Sequence, residues 1–322
     1  MGAPAHVASA RERRLFIPSG VYPQTALQSK SPLDLVNLPP LMELTRGRAE
    51  MIIALIDGPV ARSHPDLSGS NIREIPGRLP SACDQTRSFA CMHGTFVAGI
   101  LIARRESPAP AICPDSTLLV RPIFAETSST EAPMPSATPE ELAKAIVDCI
   151  DAGASIINLS AALLQPDARG ERVLEEALDY SARRGVIVVA AAGNQGTVGS
   201  SAITRHSWVI PVIACNRLGR PLSYSNLGNS IGRRGLSAPG ENITSLVANG
   251  KQLTFGGTSA AAPFVTGTIA LMWSMFPQAT AAQVKFAITR SRAIGLASVV
   301  PPLLNAWSAY QALATTHTRR GG

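Results

Sequence analysis

The chain has 322 residues, of which 45% are hydrophobic and 16% charged, enough to build one large domain or two small ones around a sizeable core. The formal charge is +7, yet the basic pairs, among them Arg13–Arg14, Arg104–Arg105 and Arg233–Arg234, are scattered and lack interleaved aromatics, so no nucleic-acid partner is expected. No apolar run reaches the ~18 residues of a membrane span, and the first twenty residues carry no apolar stretch of secretory type, so the expectation is a soluble, cytoplasmic protein with no membrane partner.

Residues 1–33 are rich in Pro, Ser and Arg, show no sustained period and read as a tail. One domain is expected over 34–316, with a second short tail at 317–322. Near its start, "LDLVNLPPLMELTRGR" has room for a short helix. "MIIALID" (51–57) is a continuous apolar, β-branched run, the pattern of a strand buried on both faces. The pattern returns at 117–124, 154–160, 185–193 and 208–215. Helical stretches lie between them: 93–105, 138–153 with Thr138 as cap, and 171–185 closed by a glycine. Two further helices are expected at about 258–276 and 279–291, and a last one near Asn305. Buried strands alternating with helices predict an α/β fold, a mostly parallel central sheet with helices on both faces. Sites in such folds sit at the carboxyl ends of the strands.

Five cysteines, Cys83, Cys91, Cys113, Cys149 and Cys215, are odd in number and irregular in spacing, which fits neither a disulfide framework nor a zinc site. Cys83 and Cys91, in one loop, are close enough to pair; a reducing cytosol favours free thiols.

Four polar residues stand where such a fold concentrates chemistry. Asp57 ends the first strand, and alone it reads as a turn aspartate before Gly58–Pro59. His93 opens the helical stretch "HGTFVAGILIARR"; a helix start disfavours positive charge, which suits a neutral, proton-accepting ring. Asn194 follows "VVAAAG", and its plain reading is a turn former. Ser259 sits in "GGTSAAAP", between a glycine turn and an apolar helix, where a serine serves equally as an N-cap or as a nucleophile beside free N–H groups.

Together these residues carry a resemblance. Asp, His, Ser is the chain order of the subtilisin triad. With "ALIDGPVARSHPDL", "HGTFVAGI", "ASIINLSAA", "VVAAAGNQG", "LSAPG" and "GGTSAAAPFVTGTIALM", the sequence resembles subtilisin-like serine proteases across about residues 35–313. The resemblance implies Ser259 as nucleophile, His93 as general base and then acid, and Asp57 as the group that holds the imidazole. It implies an oxyanion hole from the Asn194 amide and the Ser259 backbone N–H. It also implies a peptide substrate lying along Ser160, Ala161 and Ala162 and against Ala191, Ala192 and Gly193.

Departures narrow the expectation. Only 50 residues precede Met51, so a full chaperone-like prodomain is not expected. Many relatives have a calcium loop after the histidine helix; here "ARRESPAPAICPD" is a poor ligand set for a hard cation, so no metal and no cofactor is expected there. "IDGPV…SHPDL", "CPDSTLLVRPIF" and "SYSNLGNSIGRRGLSAPGENI" look most like the cyanobactin-maturation subtilases, which act on ribosomal peptide precursors. Their macrocyclising branch carries a helical insertion beside the catalytic histidine; the short Asp57–His93 span lacks one, so hydrolysis is expected. A general turnover protease, a macrocyclase and a non-catalytic peptide-binding scaffold remain the alternatives.

Overall fold

The computed structural model of the chain describes residues 31–80, 82–126, 137–160, 168–290 and 298–318. Two short helices, α1 (Pro32–Leu35) and α2 (Pro39–Leu44), precede β1 (Ile52–Asp57). Then come β2 (Ile72–Glu74), α3 (Phe89–Ile102), β3 (Thr117–Pro122), α4 (Pro139–Asp151), β4 (Ile156–Leu159), α5 (Ala168–Arg184) and β5 (Ile187–Ala191). The second half runs α6 (Ala202–Arg205), β6 (Val209–Cys215), α7 (Asn229–Arg234), β7 (Leu236–Pro239), β8 (Ile243–Val247) and β9 (Lys251–Phe255). It closes with α8 (Thr258–Met275), α9 (Ala281–Thr289) and α10 (Ala306–Thr318).

Seven strands form one parallel sheet in the order β2-β3-β1-β4-β5-β6-β7. The apolar runs explain why both faces are covered. Side chains alternate across a strand. Ile53, Leu55, Leu118, Val120, Val189 and Val212 therefore join the core under α3 and α8. Their neighbours Ala54, Ile56, Leu119, Val188 and Ala190 join a second core against α4 and α5. Helix α8 packs on four strands and is buried along almost its whole length, which its small and apolar sequence permits. Helix α4 starts as its sequence specifies: Thr138 and Glu141 close a reciprocal capping box.

From β1 the chain goes to the edge strand β2, returns to β3 between them, and then crosses to β4 on the other side of β1. The carboxyl end of β1, where Asp57 lies, is thus the switch point at which open α/β sheets hold ligands.

Three features depart from the sequence expectations. Helix α3 begins at Phe89, one turn before His93, so the histidine is the fifth helical residue and the argument from a helix-start charge penalty loses its force. Cys83 and Cys91 form a disulfide, with Cα atoms 5.5 Å apart, where free thiols were the expectation. Compartment decided that expectation, whereas the fold decides the distance. Finally, β8 and β9 form an antiparallel hairpin over residues 243–255, for which no element was expected. Asn249 and Gly250 at its tip both have positive φ, 66° and 67°, the tight turn whose twist suits a hairpin.

Candidate active site

Asp57, His93 and Ser259 arrive from three elements. Asp57 ends β1 and is fully buried; His93 rises from the second turn of α3; Ser259 is the second residue of α8 and 6% exposed. The turn after β1 lies directly on α3. A Cβ at Gly58 would fall 2.1 Å from the Ala90 carbonyl oxygen, and one at Gly94 would fall 2.5 Å from that of Gly58. Only glycine at both positions lets strand end and helix come so close.

The three side chains form a continuous hydrogen-bonded line. His93 Nδ1 lies 2.7 Å from Asp57 Oδ1, and His93 Nε2 lies 2.9 Å from Ser259 Oγ. An ionised carboxylate only accepts, so Nδ1 carries the ring proton and Nε2 is left to accept from the serine hydroxyl. Asp57 Oδ1 also accepts from the Gly58 N–H at 2.7 Å, while Oδ2 is buried without a partner among the described residues. Burial pulls the His93 pKa down. The charge of Asp57 and the hydrogen bond to it pull it up and prevail, so the net shift is upward from 6.5. The arrangement can draw a proton from a serine and hold it on a ring stabilised by a buried anion.

Asn194 lies just past β5, and its amide orientation is fixed by Thr258. Gly193 N–H donates to Thr258 Oγ1 at 3.2 Å, so the Thr258 hydroxyl hydrogen is free to donate, and it does so to Asn194 Oδ1 at 3.0 Å. The Thr258 N–H donates to the same oxygen at 2.9 Å. With Oδ1 held by two donors, Nδ2 is the end left available. It lies over Gly257, where a Cβ would fall 3.1 Å from it. Gly257 itself has φ 138°, a conformation that favours glycine. The Ser259 N–H has no acceptor among the described residues. Pro263, inside α8, has no N–H to give to the Ser259 carbonyl four residues back, so the first turn, which displays the serine, lacks that hydrogen bond.

Sequence reasoning missed Thr258 and two other contributors. Asn226 holds the loop after β5: its Oδ1 accepts from the Gln195 and Thr197 N–H groups, both at 3.1 Å, and its Nδ2 donates to the Ala192 carbonyl at 3.1 Å. Phe255, the last residue of β9, meets the His93 ring edge-on, with centroids 6.1 Å apart, and also packs on Phe96. The Asn249–Gly250 pair between alternating residues was the signal for the hairpin that delivers it.

Of the expected substrate-lining residues, Ser160 accepts from Asn158 Nδ2 at 3.0 Å, and Asn158 is held in turn by Thr266 at 2.8 Å. Ala161 and Ala162 lie outside the described residues. Ala191 ends β5, and the backbone groups of Ala192 and Gly193 are engaged inside the protein. Ala192 N–H donates to Val212, its carbonyl accepts from Asn226, and the Gly193 carbonyl accepts from the Asn226 N–H. These residues form a wall.

A profile of the subtilase family matches residues 48–315. The chain belongs to the subtilase family. Curated relatives of this subtilase include a thermophilic serine proteinase of Bacillus sp. strain AK1, 33% identical over 72% of the chain and 54% of that protein. Mycosin-4 of Mycobacterium tuberculosis is 31% identical over 78% of the chain and 61% of its own length. The chain thus spans between half and two-thirds of these two proteins; for the subtilisin of Bacillus pumilus, 30% identical, the share is 80%. Among solved structures, the prenylagaramide maturation protease PagA has a TM-score of 0.74 at 29% identity, covering 86% of this chain and 98% of PagA. The patellamide maturation protease PatA has a TM-score of 0.69 at 29% identity, covering 84% and 98%.

Proposed function

We propose that this subtilase is a serine endopeptidase that works through an acyl-enzyme and matures a ribosomal peptide precursor by cleaving off its leader. In this reading His93 Nε2 takes the Ser259 hydroxyl proton as Oγ attacks the scissile carbonyl, and the imidazolium is stabilised by Asp57. The carbonyl oxygen, now an oxyanion, receives the Asn194 Nδ2–H and the Ser259 N–H, two donors already oriented before reaction. His93 then gives its proton to the departing amine, and a water follows the same route to release the acyl group.

The observation that supports this reading best is the hydrogen-bonded line Asp57–His93–Ser259 beside an Asn194 amide whose polarity is fixed by Thr258. The maturation role is supported by the likeness to PagA and PatA, two proteins described as maturation proteases, over nearly their whole solved lengths. Hydrolysis over macrocyclisation is supported by the segment between β1 and α3. Its described residues hold a three-residue 3-10 turn, Pro65–Leu67, and the three-residue β2, and no α-helix.

The test is incubation with the precursor peptide encoded beside its gene and, separately, with unfolded casein, with products read by mass. Cleavage of the precursor at one bond into two linear fragments, with casein cut far more slowly, is the expected result. Casein degraded as fast as the precursor makes it a turnover protease. A product lighter than the linear fragment by one water makes it a macrocyclase.

A further inference from the structure

The half of the substrate that departs first must lie on the His93 side of Ser259, because His93 Nε2 hands its proton to the leaving amine. The elements on that side are fixed by the hairpin. Phe255 stands at the edge of the His93 ring, and the chain then runs through Gly256 and Gly257 into α8. Gly256 is pressed against a second segment. A Cβ there would fall 2.9 Å from the Gly240 carbonyl oxygen, 3.3 Å from the Tyr224 hydroxyl and 3.8 Å from Glu241 Cα. The Gly240 carbonyl ties this corner together by accepting from the Gly257 N–H at 2.9 Å and from the Tyr224 hydroxyl at 3.2 Å.

Glu241 sits in the turn between β7 and β8, next to Asn242, whose φ of 52° lets the chain reverse sharply. It is partly exposed, and among the described residues no basic side chain pairs with it. That is notable in a chain with 29 Lys and Arg against 22 Asp and Glu. The Tyr224 phenol, 3.3 Å from where a Gly256 Cβ would lie, has its pKa pushed up by burial and by the charge of Glu241. A carboxylate whose turn meets Gly256 next to the Tyr224 ring is the setting in which a Lys or Arg packs its stem on a ring and sets its charge against the acid.

We infer that Glu241, with Tyr224, forms a subsite on the departing side that takes a Lys or Arg side chain within the first three residues after the scissile bond. The inference rests on the proposed endopeptidase reading and adds a substrate preference to it. A peptide with Glu at the same position meets like charge and is disfavoured.

The experiment uses one cleavable peptide varied to Lys or Glu at each of the three positions after the bond. The Lys-to-Glu ratio of kcat/KM is measured for wild type, Glu241→Gln and Glu241→Lys; a ratio is insensitive to the folded fraction of a variant. At one position wild type is expected to prefer Lys by about fivefold or more, the scale of a partly exposed ion pair. Glu241→Gln flattens the ratio and Glu241→Lys inverts it. An equal ratio in wild type and Glu241→Gln overturns the inference. The same pairs are titrated by fluorescence anisotropy against Ser259→Ala, alone and combined with Glu241→Gln. Lys-selective binding lost with Glu241, when wild type itself cleaves none of the peptides, supports the subsite and refutes the endopeptidase reading instead.

Discussion

Helix α3 holds a cation-forming side chain near its first turn and another just past its last, and the two are treated in opposite ways. At the amino end His93 faces a single buried carboxylate and a serine hydroxyl. Beyond the carboxyl end Arg105 faces backbone carbonyls. It donates to Met42 at the end of α2, to Thr45 at 2.7 Å and to Ile112 at 3.3 Å. Burial and the nearby Arg46 lower the Arg105 pKa, yet a guanidinium stays charged in any protein setting. A group that must change its charge is given one anion, whose second oxygen has no partner among the described residues. A group that must keep its charge is given three carbonyl dipoles from two segments, gathered by its two terminal nitrogens, while its Nε has no partner among the described residues. This is also the loop where the sequence leads us to expect no metal.

The comparison breaks most visibly at the amino end. Asp57→Asn should lower kcat by about 10⁴, as the loss of the orienting acid does in triads of this kind. It should also move the acid limb of the kcat/KM profile. Catalysis needs neutral His93, and in wild type the Asp57 charge raises the ring above 6.5, so activity rises with pH through a midpoint above that value. Without the charge, burial alone acts and the limb moves to lower pH. A limb that stays put in Asp57→Asn shows that the carboxylate does not set the ring's proton affinity.

Asn194→Leu sharpens the amino-end reading. An oxyanion donor acts only once charge develops, so kcat should fall by roughly 10²–10³ with KM nearly unchanged, the scale for a subtilisin relative. Active-site titration corrects for the folded fraction. A kcat preserved after that correction reduces Asn194 to a turn former.

At the other end the expected effect is on stability and not on rate. Arg105→Met leaves three carbonyls of two segments without their donor, which should cost about 2–4 kcal/mol and lower the melting temperature. The kcat per titrated active site should hold. In wild type, excess chelator and millimolar calcium should give the same melting temperature. A rise with calcium that disappears when residues 104–112 are altered refutes the expectation that this loop holds no metal.

How much of this was legible beforehand follows from the range of each interaction. β1 and β5 could be read because strands buried on both faces need continuous apolar runs, and the start of α4 because its cap spans only Thr138 to Glu141. Asp57, His93, Asn194 and Ser259 were legible because each follows a strand or belongs to a helix start with a characteristic local sequence. Contacts between distant segments were not. The extra turn of α3 has no side-chain cap from Ser88; it is held by Ala90 packed on Gly58 and by the link from Cys91 to Cys83. Arg105 looked like half of a surface basic pair, because its partners lie 60 and more residues earlier as well as 7 residues on. Glu241 lay inside the stretch "SYSNLGNSIGRRGLSAPGENI" but carried no chemical reading of its own there, since only the fold brings its turn beside Gly256.

The central claim is that Ser259 is a nucleophile made reactive by His93. The direct measurement is labelling with a serine-directed fluorophosphonate, followed by mass spectrometry of the tryptic peptide Gln252–Lys285. The account predicts one adduct per chain, located on Ser259, absent from Ser259→Ala and formed far more slowly in His93→Ala. An adduct on another residue, or equal labelling rates with and without His93, would contradict it.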